Sequence, residues 1–507
     1  MADVHVNIRI IGIVQGVGFR PFVYKKALEN FISGFVFNDT EGVYIEAEGT
    51  SQNIEKFISA IKADPPLLAQ MYTVICDEAP LVGYNSFEIR NSQEGRKRTV
   101  FYSPDTNICD DCLTEFNNTN DRRYHYPFIT CINCGPRFSI IADVPYDRAC
   151  TSMNTFNMCD DCEREYNDPF NRRHHTQPNG CPRCGPLYAM YDNQGKKLSD
   201  SIEDIITKVL EEISCGKILA IKSMGGYHLV ANASNDKVIE TLRQRKYRPF
   251  KPFAVMCGSI SKVKEMCYVN SIEEKLLLSK ERPIVLLKIK ALSVAHNVAP
   301  GLTYLGVMLP YTPFHHLLFT KDSDLVLVMT SGNVTDEPIV YEDEDAEQRL
   351  SFIADFFVSY NRKIVIQSDD SVYFEALNKP LCIRRSRGYV PIPFRGKEKV
   401  SPILAMGGDL KNCFAITKEH YYIMSQYFGD MADPLTIKAF QKNLAHYSKI
   451  FEFTPEVVVT DLHPGYITTQ EASKYNTQKL QVQHHYAHAL AVMEEHDLSE
   501  PVIAIIY

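Results

Sequence analysis

The 507-residue sequence has no long apolar segment. A membrane-spanning helix needs 18 or more consecutive apolar residues, and the short stretch Leu325–Met329 is typical of the longest uncharged apolar runs here. The N-terminus carries Asp3 and Arg9 where a secretory signal would have a continuous apolar core. These absences predict a protein with no membrane partner and no export signal.

The sequence also has no excess of positive charge. Its 54 Lys and Arg face 62 Asp and Glu, which gives a net charge of −8 and makes it a poor general binder of nucleic acid, although a local basic groove stays open. It is 45% hydrophobic and 23% charged, which excludes collagen-like, coiled-coil and largely disordered classes. At roughly 150 residues per domain, its length predicts three or four domains.

Cysteine is what the sequence does have: 15 residues, an odd number, with eight of them in four Cys-x-x-Cys pairs. The pairs are Cys109/Cys112, Cys131/Cys134, Cys159/Cys162 and Cys181/Cys184, separated by 18, 24 and 18 residues. Two such pairs 15–20 residues apart are typical of a four-cysteine zinc site, so the sequence predicts two zinc ions with a structural role. Redox pairs are the alternative, and metal-binding thiols favour a reducing compartment, the cytoplasm.

These cysteines belong to an internal repeat of 50 residues. Cys-Asp-Asp-Cys recurs at 109 and 159, Arg-Arg at 122 and 172, and Cys-Gly-Pro at 134 and 184. We call residues 105–190 the zinc module. Which pairs share a zinc stays open, since an arrangement swapped across the repeat uses the same residues. His174 and His175 could replace a cysteine, but we expect them to be solvated.

Residues 1–91 alternate strand and helix patterns. Strands are predicted at Val4–Gly12, Phe31–Asn38, Val43–Gly49 and Phe87–Arg90, and helices at Pro21–Glu29 and from an N-capping Ser51 to Ala63. This β-α-β-β-α-β order predicts a ferredoxin-like fold. Residues 92–108 are expected to form a polar linker.

A glycine-rich loop, Gly12-Ile-Val-Gln-Gly-Val-Gly-Phe-Arg20, joins the first strand to the first helix. Its glycines allow backbone N–H groups to converge on an anion, and Arg20 adds a bidentate donor. A Gly-rich turn with a surface arginine is the alternative. With Asn38 in Asn-Asp-x-x-Gly-Val, residues 3–91 resemble the acylphosphatases. The resemblance implies that Gln15, Gly16, Val17, Gly18 and Arg20 bind phosphate and that Asn38 orients the attacking water.

Residues 200–390 return to α/β patterning, with strands predicted at Ile218–Lys222, Ile284–Ile289 and Leu325–Thr330. The basic, aromatic stretch Arg243–Phe253 could be a solvated helix end or a nucleic-acid contact, but its two prolines favour a shaped phosphate pocket. Together with the basic turn at 384–388, this region resembles the YrdC family. The resemblance implies phosphate and carboxylate binding by Lys246, Arg248 and Lys251, and adenylate contacts from Ser331 and Asn333. Lys222 and His228 are further candidates.

The remaining segment, 400–507, carries Gly-Gly-Asp-Leu-Lys-Asn412, Asp461-Leu-His-Pro and His484-His-Tyr-Ala-His488. His484 and His488 are spaced i, i+4, on one face of a helix, which suits two imidazoles on one metal, although a surface helix is the alternative. The segment resembles the TsaD-like, actin-like ATPase domains, which implies iron or zinc at this pair. Its final run, Pro501–Tyr507, is predicted to be a buried strand, and we expect the natural domain to continue beyond it.

The domain order is predicted as 1–91 acylphosphatase-like, 105–190 double zinc finger, 200–390 YrdC-like and 400–507 partial TsaD-like, an α+β and α/β multidomain chain. This order resembles the HypF carbamoyltransferases of nickel–iron hydrogenase maturation. The resemblance implies that carbamoyl phosphate is hydrolysed, that carbamate reacts with ATP and Mg to give carbamoyl adenylate, and that HypE receives the carbamoyl group on its C-terminal Cys. Final transfer is expected to fail in a truncated chain. The alternatives are a threonylcarbamoyl-adenylate-type tRNA modification enzyme and a non-catalytic zinc-dependent binding module.

Overall fold

The computed structural model describes residues 3–91, 101–291 and 294–506, and the chain divides into two compact units. The first unit comprises Met1–Thr335 with Ile339–Ile392, and the second comprises Asp336–Pro338 with Pro393–Tyr507. Among the described residues, none of the helices is long and apolar enough to cross a membrane.

The N-terminal part of the first unit is a five-stranded sheet with two helices. Its elements are β1 (Asp3–Ile13), α1 (Phe19–Glu29), β2 (Ser33–Asp39), β3 (Gly42–Thr50), α2 (Ser51–Ala63), β4 (Gln70–Ala79) and β5 (Phe87–Ile89). The strand order is β4-β1-β3-β2-β5. Alternate residues of β1, among them Val6, Ile8 and Ile10, are buried against the helices, as the period of two in a half-buried strand requires.

The ferredoxin-like prediction is confirmed, with two corrections. The strand that pairs with β1 after α2 is β4, which the sequence analysis missed, and the predicted strand at Phe87–Arg90 is an additional edge strand beside β2. Thr50, not Ser51, caps α2, because its side chain accepts a hydrogen bond from the Asn53 N–H at 3.3 Å.

The predicted linker 92–108 lies partly outside the described residues, which resume at 101. Residues 101–106 are buried, not exposed as a linker would be. Phe101 contacts Tyr72 of β4 edge-on, with ring centroids 5.4 Å apart, and Asp105 accepts hydrogen bonds from the Arg137 and Ser139 N–H groups. This segment is therefore packed into the first unit.

The zinc module contains little regular structure. It has two helices, α3 (Asp110–Asn117) and α4 (Asp160–Asn167), and two 3₁₀ turns, at Phe138–Ile140 and Arg148–Cys150. Its apolar residues, including Ile108, Phe116 and Phe128, join one hydrophobic cluster with residues of the large sheet that follows. The module therefore shares a core, as its low apolar content requires.

The rest of the first unit is built on an eleven-stranded mixed sheet. Its strands are β6 (Tyr188–Asp192), β7 (Lys197–Ser199), β8 (Leu219–Lys222), β9 (Tyr227–Asn232), β10 (Ala254–Cys257), β11 (Ile284–Lys288), β12 (Tyr304–Met308), β13 (Val326–Ser331), β14 (Phe356–Tyr360), β15 (Val372–Ala376) and β16 (Lys379–Arg384). Their order is β16-β15-β11-β12-β10-β13-β9-β8-β14-β6-β7. The central strands are buried on both faces, which explains their nearly continuous apolar sequences.

Six helices cover this sheet, together with a 3₁₀ turn at His296–Val298. They are α5 (Ile202–Ser214), α6 (Asp236–Arg245), α7 (Ile260–Met266), α8 (Ser271–Leu278), α9 (Pro313–Leu318) and α10 (Asp343–Leu350). In α5, Ile206, Val209 and Ile213 recur at helical spacing and are buried. Asn270 and Glu273 form a capping box that fixes the start of α8.

The second unit contains a five-stranded sheet of order β17-β19-β18-β20-β21. Its elements are β17 (Phe394–Val400), β18 (Ile403–Ala405), β19 (Ala415–Met424), α11 (Pro434–Ile450), β20 (Val457–Asp461), α12 (Ile467–Ala472), β21 (Gln478–Val482) and α13 (His484–Glu495). The predicted buried strand at Pro501–Tyr507 is wrong over 501–506. These residues are exposed and pair with no strand among the described residues, and a strand needs such a partner.

Candidate functional site

The glycine-rich loop leads directly into α1 and forms an anion-binding geometry. Gly16 and Gly18 have φ values of 69° and 78°, a left-handed backbone that favours glycine, and Gly18 is the N-cap of α1. Val17 is fully buried, and the Gln15 amide donates to the carbonyls of Asp39 and Gly42 at 2.6 and 2.9 Å. Gln15 thus holds the loop against the β2–β3 turn. The backbone N–H groups at the N-terminus of α1 are the groups suited to bind an anion.

Arg20 and Asn38 meet beside this loop. The Asn38 amide, with its oxygen toward Arg20, accepts hydrogen bonds from Nε at 3.1 Å and from Nη2 at 3.3 Å. Both residues are buried, at 6% and 1% exposure, and they line one small pocket with Gly16 and Gly18. The sequence motif therefore brings its cation and its amide together at the phosphate loop.

The zinc module closes this pocket, which the sequence analysis did not foresee. Ile132, His175 and Gln177 line it together with Arg20, and Asp147 Oδ1 lies 3.2 Å from Arg20 Nη2. These contacts join positions more than 100 residues apart, so no local pattern in the sequence could indicate them.

His174 and His175 are not solvated, contrary to expectation. His174 is 4% exposed, and the two rings contact each other at 4.5 Å. Burial and the nearby Arg20 cation lower the pKa of His174 to about 4 and that of His175 to about 3, so both rings are neutral at pH 7. Neither joins a cysteine cluster among the described residues.

The eight paired cysteines form two clusters, each within one repeat. In the first cluster the Sγ–Sγ distances are 3.6, 3.9 and 3.6 Å, for Cys109–Cys131, Cys131–Cys134 and Cys134–Cys112. In the second they are 3.8, 3.7 and 3.6 Å, for Cys159–Cys181, Cys181–Cys184 and Cys184–Cys162. Tetrahedral Zn–S bonds of about 2.3 Å place sulfurs about 3.8 Å apart, so both clusters fit zinc, and pairs are not swapped between repeats.

Arginines from each repeat reach the cluster of the other. Arg122 of the first repeat places Nη1 and Nη2 3.4 Å from Cys162 Sγ, and Arg172 of the second places Nη1 3.1 Å from Cys112 Sγ. Such donors stabilise thiolates bound to a metal. The two repeats are therefore linked by reciprocal hydrogen bonds.

A carboxylate supports each pair of arginines. Glu165 lies 2.7 Å from Arg122 and 2.5 Å from Arg123, and Glu115 accepts from Arg172 at 2.9 Å and also from Arg173. Burial opposes the charged form of Glu165, yet bonds from Arg123 and Arg122 lower its pKa to about 2. The repeated Arg-Arg dipeptide thus binds one glutamate of the opposite repeat.

In the large sheet, the predicted nucleotide residues meet at the end of β13. Lys246 is fully buried, and its Nζ donates to the Ser331 and Asn333 carbonyls at 2.7 and 2.5 Å, while Ser331 Oγ donates to Asn333 Oδ1 at 2.8 Å. Arg248 Nη1 lies 3.4 Å from Thr330 Oγ1. A strand end with these polar groups suits a nucleotide contact.

The other basic residues of this stretch have different surroundings. Lys251 is exposed, and its carbonyl accepts from Arg243 and Arg248, each at 3.2 Å. Arg243 is buried, contacts the Phe253 ring and bonds further carbonyls of the loop. Arg243 therefore shapes the loop that presents Arg248 and Lys251.

Lys222 and His228 are both bound to carboxylates. Lys222 Nζ lies 2.5 Å from Asp343, and His228 Nε2 lies 2.9 Å from Asp370, which also accepts from Arg387 Nε at 2.6 Å. Burial alone would raise the pKa of Asp370, but the Arg387 guanidinium and His228 hold that pKa well below its ordinary value. The sequence analysis missed Asp370, whereas Arg387 lies in the basic turn at 384–388 that it singled out.

In the second unit, His484 and His488 share an exposed face of α13. Their Nε2 atoms are 3.2 Å apart, and His484 Nδ1 lies 2.5 Å from Asp461 Oδ2. Two imidazole nitrogens bound to one metal at about 2.0–2.1 Å have a comparable separation, and a carboxylate on the other ring nitrogen is the usual support of such a ligand. The pair therefore fits a metal, although no third such ligand joins it among the described residues.

Known protein families match successive segments of the chain. Four family models match: Acylphosphatase at residues 6–89, HypF finger at 108–141 and 158–191, Telomere recombination (Sua5, YciO and YrdC) at 211–386, and HypF Kae1-like domain at 398–495. An acylphosphatase of Archaeoglobus fulgidus is 44% identical over 84 residues, 16% of this chain and 93% of that protein. Fold and site together define a fusion of an acylphosphatase fold, two zinc fingers and a YrdC-type sheet.

Longer matches specify the family. A protein named carbamoyltransferase HypF from Synechocystis is 45% identical over 497 residues, which is 98% of this chain and 64% of that protein. A crystal structure of full-length HypF in a phosphate- and nucleotide-bound form is 46% identical with a TM-score of 0.96, covering 100% of this chain and 66% of that one. The chain belongs to the HypF family, and it spans just under two thirds of the length of these relatives.

Proposed function

We propose that this chain hydrolyses carbamoyl phosphate, activates the carbamate with ATP and passes the carbamoyl group to the C-terminal Cys thiol of HypE, in nickel–iron hydrogenase maturation. The observation that carries this proposal is the Arg20–Asn38 pair, whose members are joined at 3.1 Å beside the phosphate loop. The HypF relatives, which match nearly the whole chain, support it.

In the first step, Arg20 and the N-terminus of α1 hold the phosphoryl group, and Asn38 orients a water molecule. The water oxygen bonds to phosphorus while the bond from phosphorus to the carbamoyl oxygen breaks, which gives phosphate, carbamate and one proton. A mixed anhydride is already activated, so positioning and charge stabilisation are sufficient and no covalent nucleophile is needed.

In the second step, a carbamate oxygen attacks the α-phosphorus of ATP and pyrophosphate leaves, with Mg accompanying the nucleotide. Arg248 and Lys251 bind phosphate and carboxylate oxygens, and Ser331 and Asn333 contact the adenylate. Lys246 is fully buried against the Ser331 and Asn333 carbonyls, so it fixes the end of β13 and adds positive charge below the phosphates.

Carbamate decomposes quickly in water, so we propose that it moves between these sites inside the first compact unit. A cavity between the zinc module and the large sheet supports this proposal. Phe128, Tyr188 and Tyr311 give it apolar walls, and Ser223 and Arg362 add polar groups suited to a small anion.

For the third step, we propose that the HypE thiolate attacks the carbamoyl carbon and AMP leaves. His484 and His488 would hold an iron or zinc ion at the transfer site. None of the fifteen cysteines forms a disulfide, which supports a reducing compartment such as the cytoplasm.

Phosphate release from carbamoyl phosphate tests the first step. Arg20→Ala should lower the rate by about 100- to 1,000-fold, because one group that stabilises transition-state charge typically contributes about 2.7–4 kcal/mol. Lys26→Ala is the control, since Lys26 lies on the same helix, where it pairs with Glu29 and contacts the Phe22 ring. Equal turnover in the two variants would contradict the acylphosphatase assignment.

A further inference from the structure

Two parts of the chain line the pocket around Arg20. The acylphosphatase-like domain supplies the phosphate loop and Asn38, whereas the zinc module supplies Ile132, His175 and Gln177. The Tyr146 ring lies so close to Gly16 that a Cβ there would approach it to 2.6 Å. The zinc module is therefore a wall of the substrate site.

Asp147 is a carboxylate of the zinc module that pairs with Arg20, one of the residues that line this pocket. Its Oδ1 lies 3.2 Å from Arg20 Nη2, and its side chain is 32% exposed against 7% for Arg20, so Asp147 is the more accessible member of the pair. It lies in a well-anchored turn, because the neighbouring Arg148 donates to the carbonyls of Phe156, Gln177 and Asn179. The position of Asp147 is thus fixed by the second repeat.

The chemistry of the substrate indicates what this carboxylate does. All acyl phosphates share the phosphoryl group and the carbonyl, and carbamoyl phosphate differs from acetyl phosphate in having an amino group in place of the methyl. Arg20 and backbone N–H groups only donate hydrogen bonds, so they cannot recognise an amino group. A carboxylate accepts from it, and such a charge-assisted bond is stronger than a neutral one.

We propose that Asp147 is a specificity residue, which accepts a hydrogen bond from the carbamoyl amino group and so selects carbamoyl phosphate over acyl phosphates that lack one. This inference rests on the proposed hydrolysis of carbamoyl phosphate. A methyl group in the same place offers no donor to Asp147, so an acyl phosphate without the amino group lacks this hydrogen bond.

The test is kcat/KM for phosphate release from carbamoyl phosphate and from acetyl phosphate, measured on the full chain. Asp147→Ala should lower the preference for carbamoyl phosphate at least about 10-fold, the effect of one lost bond to a charged group. Asp147→Asn retains an acceptor oxygen and should lower it less. Asp200→Ala is the control, because it removes an ion-paired carboxylate at the surface.

The outcomes separate specificity from positioning. If Asp147 only orients Arg20, the two substrates lose activity in parallel and the inference is wrong. An unchanged preference also overturns it. If Asp147→Ala no longer binds zinc or no longer has the circular dichroism spectrum of the folded chain, the substrate preference of Asp147→Asn is compared with that of the unaltered chain instead. A lack of phosphate release from carbamoyl phosphate by the unaltered chain would instead reject the proposed function.

Discussion

Replacing Arg122 should loosen the zinc site of the repeat to which it does not belong. Arg122 lies in the first repeat, but both of its terminal nitrogens are 3.4 Å from Cys162 Sγ in the second cluster. Arg122→Ala removes these donors and one ion pair with Glu165. The Cys162 thiolate then loses part of the positive charge that stabilises it on the metal.

The magnitude follows from the kind of bond that is lost. A hydrogen bond to a charged group contributes about 1.5–3 kcal/mol, which corresponds to about 10- to 150-fold in an equilibrium constant. The Arg122 side chain is 32% exposed, and solvent screens such an interaction, so we expect the lower end, about 10-fold weaker zinc binding. Replacing groups that support metal ligands typically has effects of this size.

The assay combines zinc transfer to a coloured chelator with alkylation of the cysteines, located by mass spectrometry. In Arg122→Ala, the four cysteines of the second cluster should be alkylated about 10-fold faster, with the first cluster unchanged. Arg172→Ala should show the mirror result, since Arg172 reaches Cys112. Arg164→Ala is the control, because this arginine lies on α4 but is 76% exposed.

The decisive result is that each arginine variant exposes the cysteines of the other repeat and not those of its own. If Arg122→Ala exposes the cysteines of its own repeat, or if both clusters respond alike to each arginine, the reciprocal arrangement does not govern zinc binding and the reasoning is refuted.

Three further predictions concern metal content, the nucleotide site and stability. Metal analysis after dialysis should find two zinc ions per chain, and fewer than one would contradict the two clusters. Lys246→Ala should weaken carbamate-dependent pyrophosphate exchange and leave phosphate release intact, because it alters only the β13 site; parallel loss of both activities would argue against separate sites. Asp370→Ala should lower the free energy of unfolding by about 3–5 kcal/mol, because Arg387 is left buried at 1% exposure without its carboxylate. The exposed pair of Asp204 and Lys208 provides the control for denaturant titrations, and Asp204→Ala should leave the free energy of unfolding nearly unchanged.

Sequence reasoning found the features whose signal is local. The phosphate loop and the cysteine spacing are contiguous patterns, and each predicts a geometry that the backbone alone can form. β4 was missed because its side chains at Cys76, Asp77 and Glu78 are exposed, so it lacks the alternation of a half-buried strand. The terminal run 501–506 was misassigned because apolar content alone does not provide a pairing strand.

The features that were missed depend on contacts between distant segments. Asp147 and His175 carry no motif, and they lie 127 and 155 residues after Arg20. The gap of 18 residues fits one zinc within each repeat, but the spacing alone does not exclude a swap of pairs across the repeats. These relations are set by how the zinc module packs on its neighbours, and a single sequence does not encode them in any local pattern.

The reciprocal arginines also set an order of events during synthesis. The first cluster has all four of its cysteines once residue 134 has been made, but the arginine that donates to Cys112 is residue 172. On the ribosome, the first site can therefore take up metal long before its surroundings are complete. It reaches its final affinity only after the second repeat has emerged from the exit tunnel, so a nascent chain that stalls between the two repeats holds its first zinc loosely.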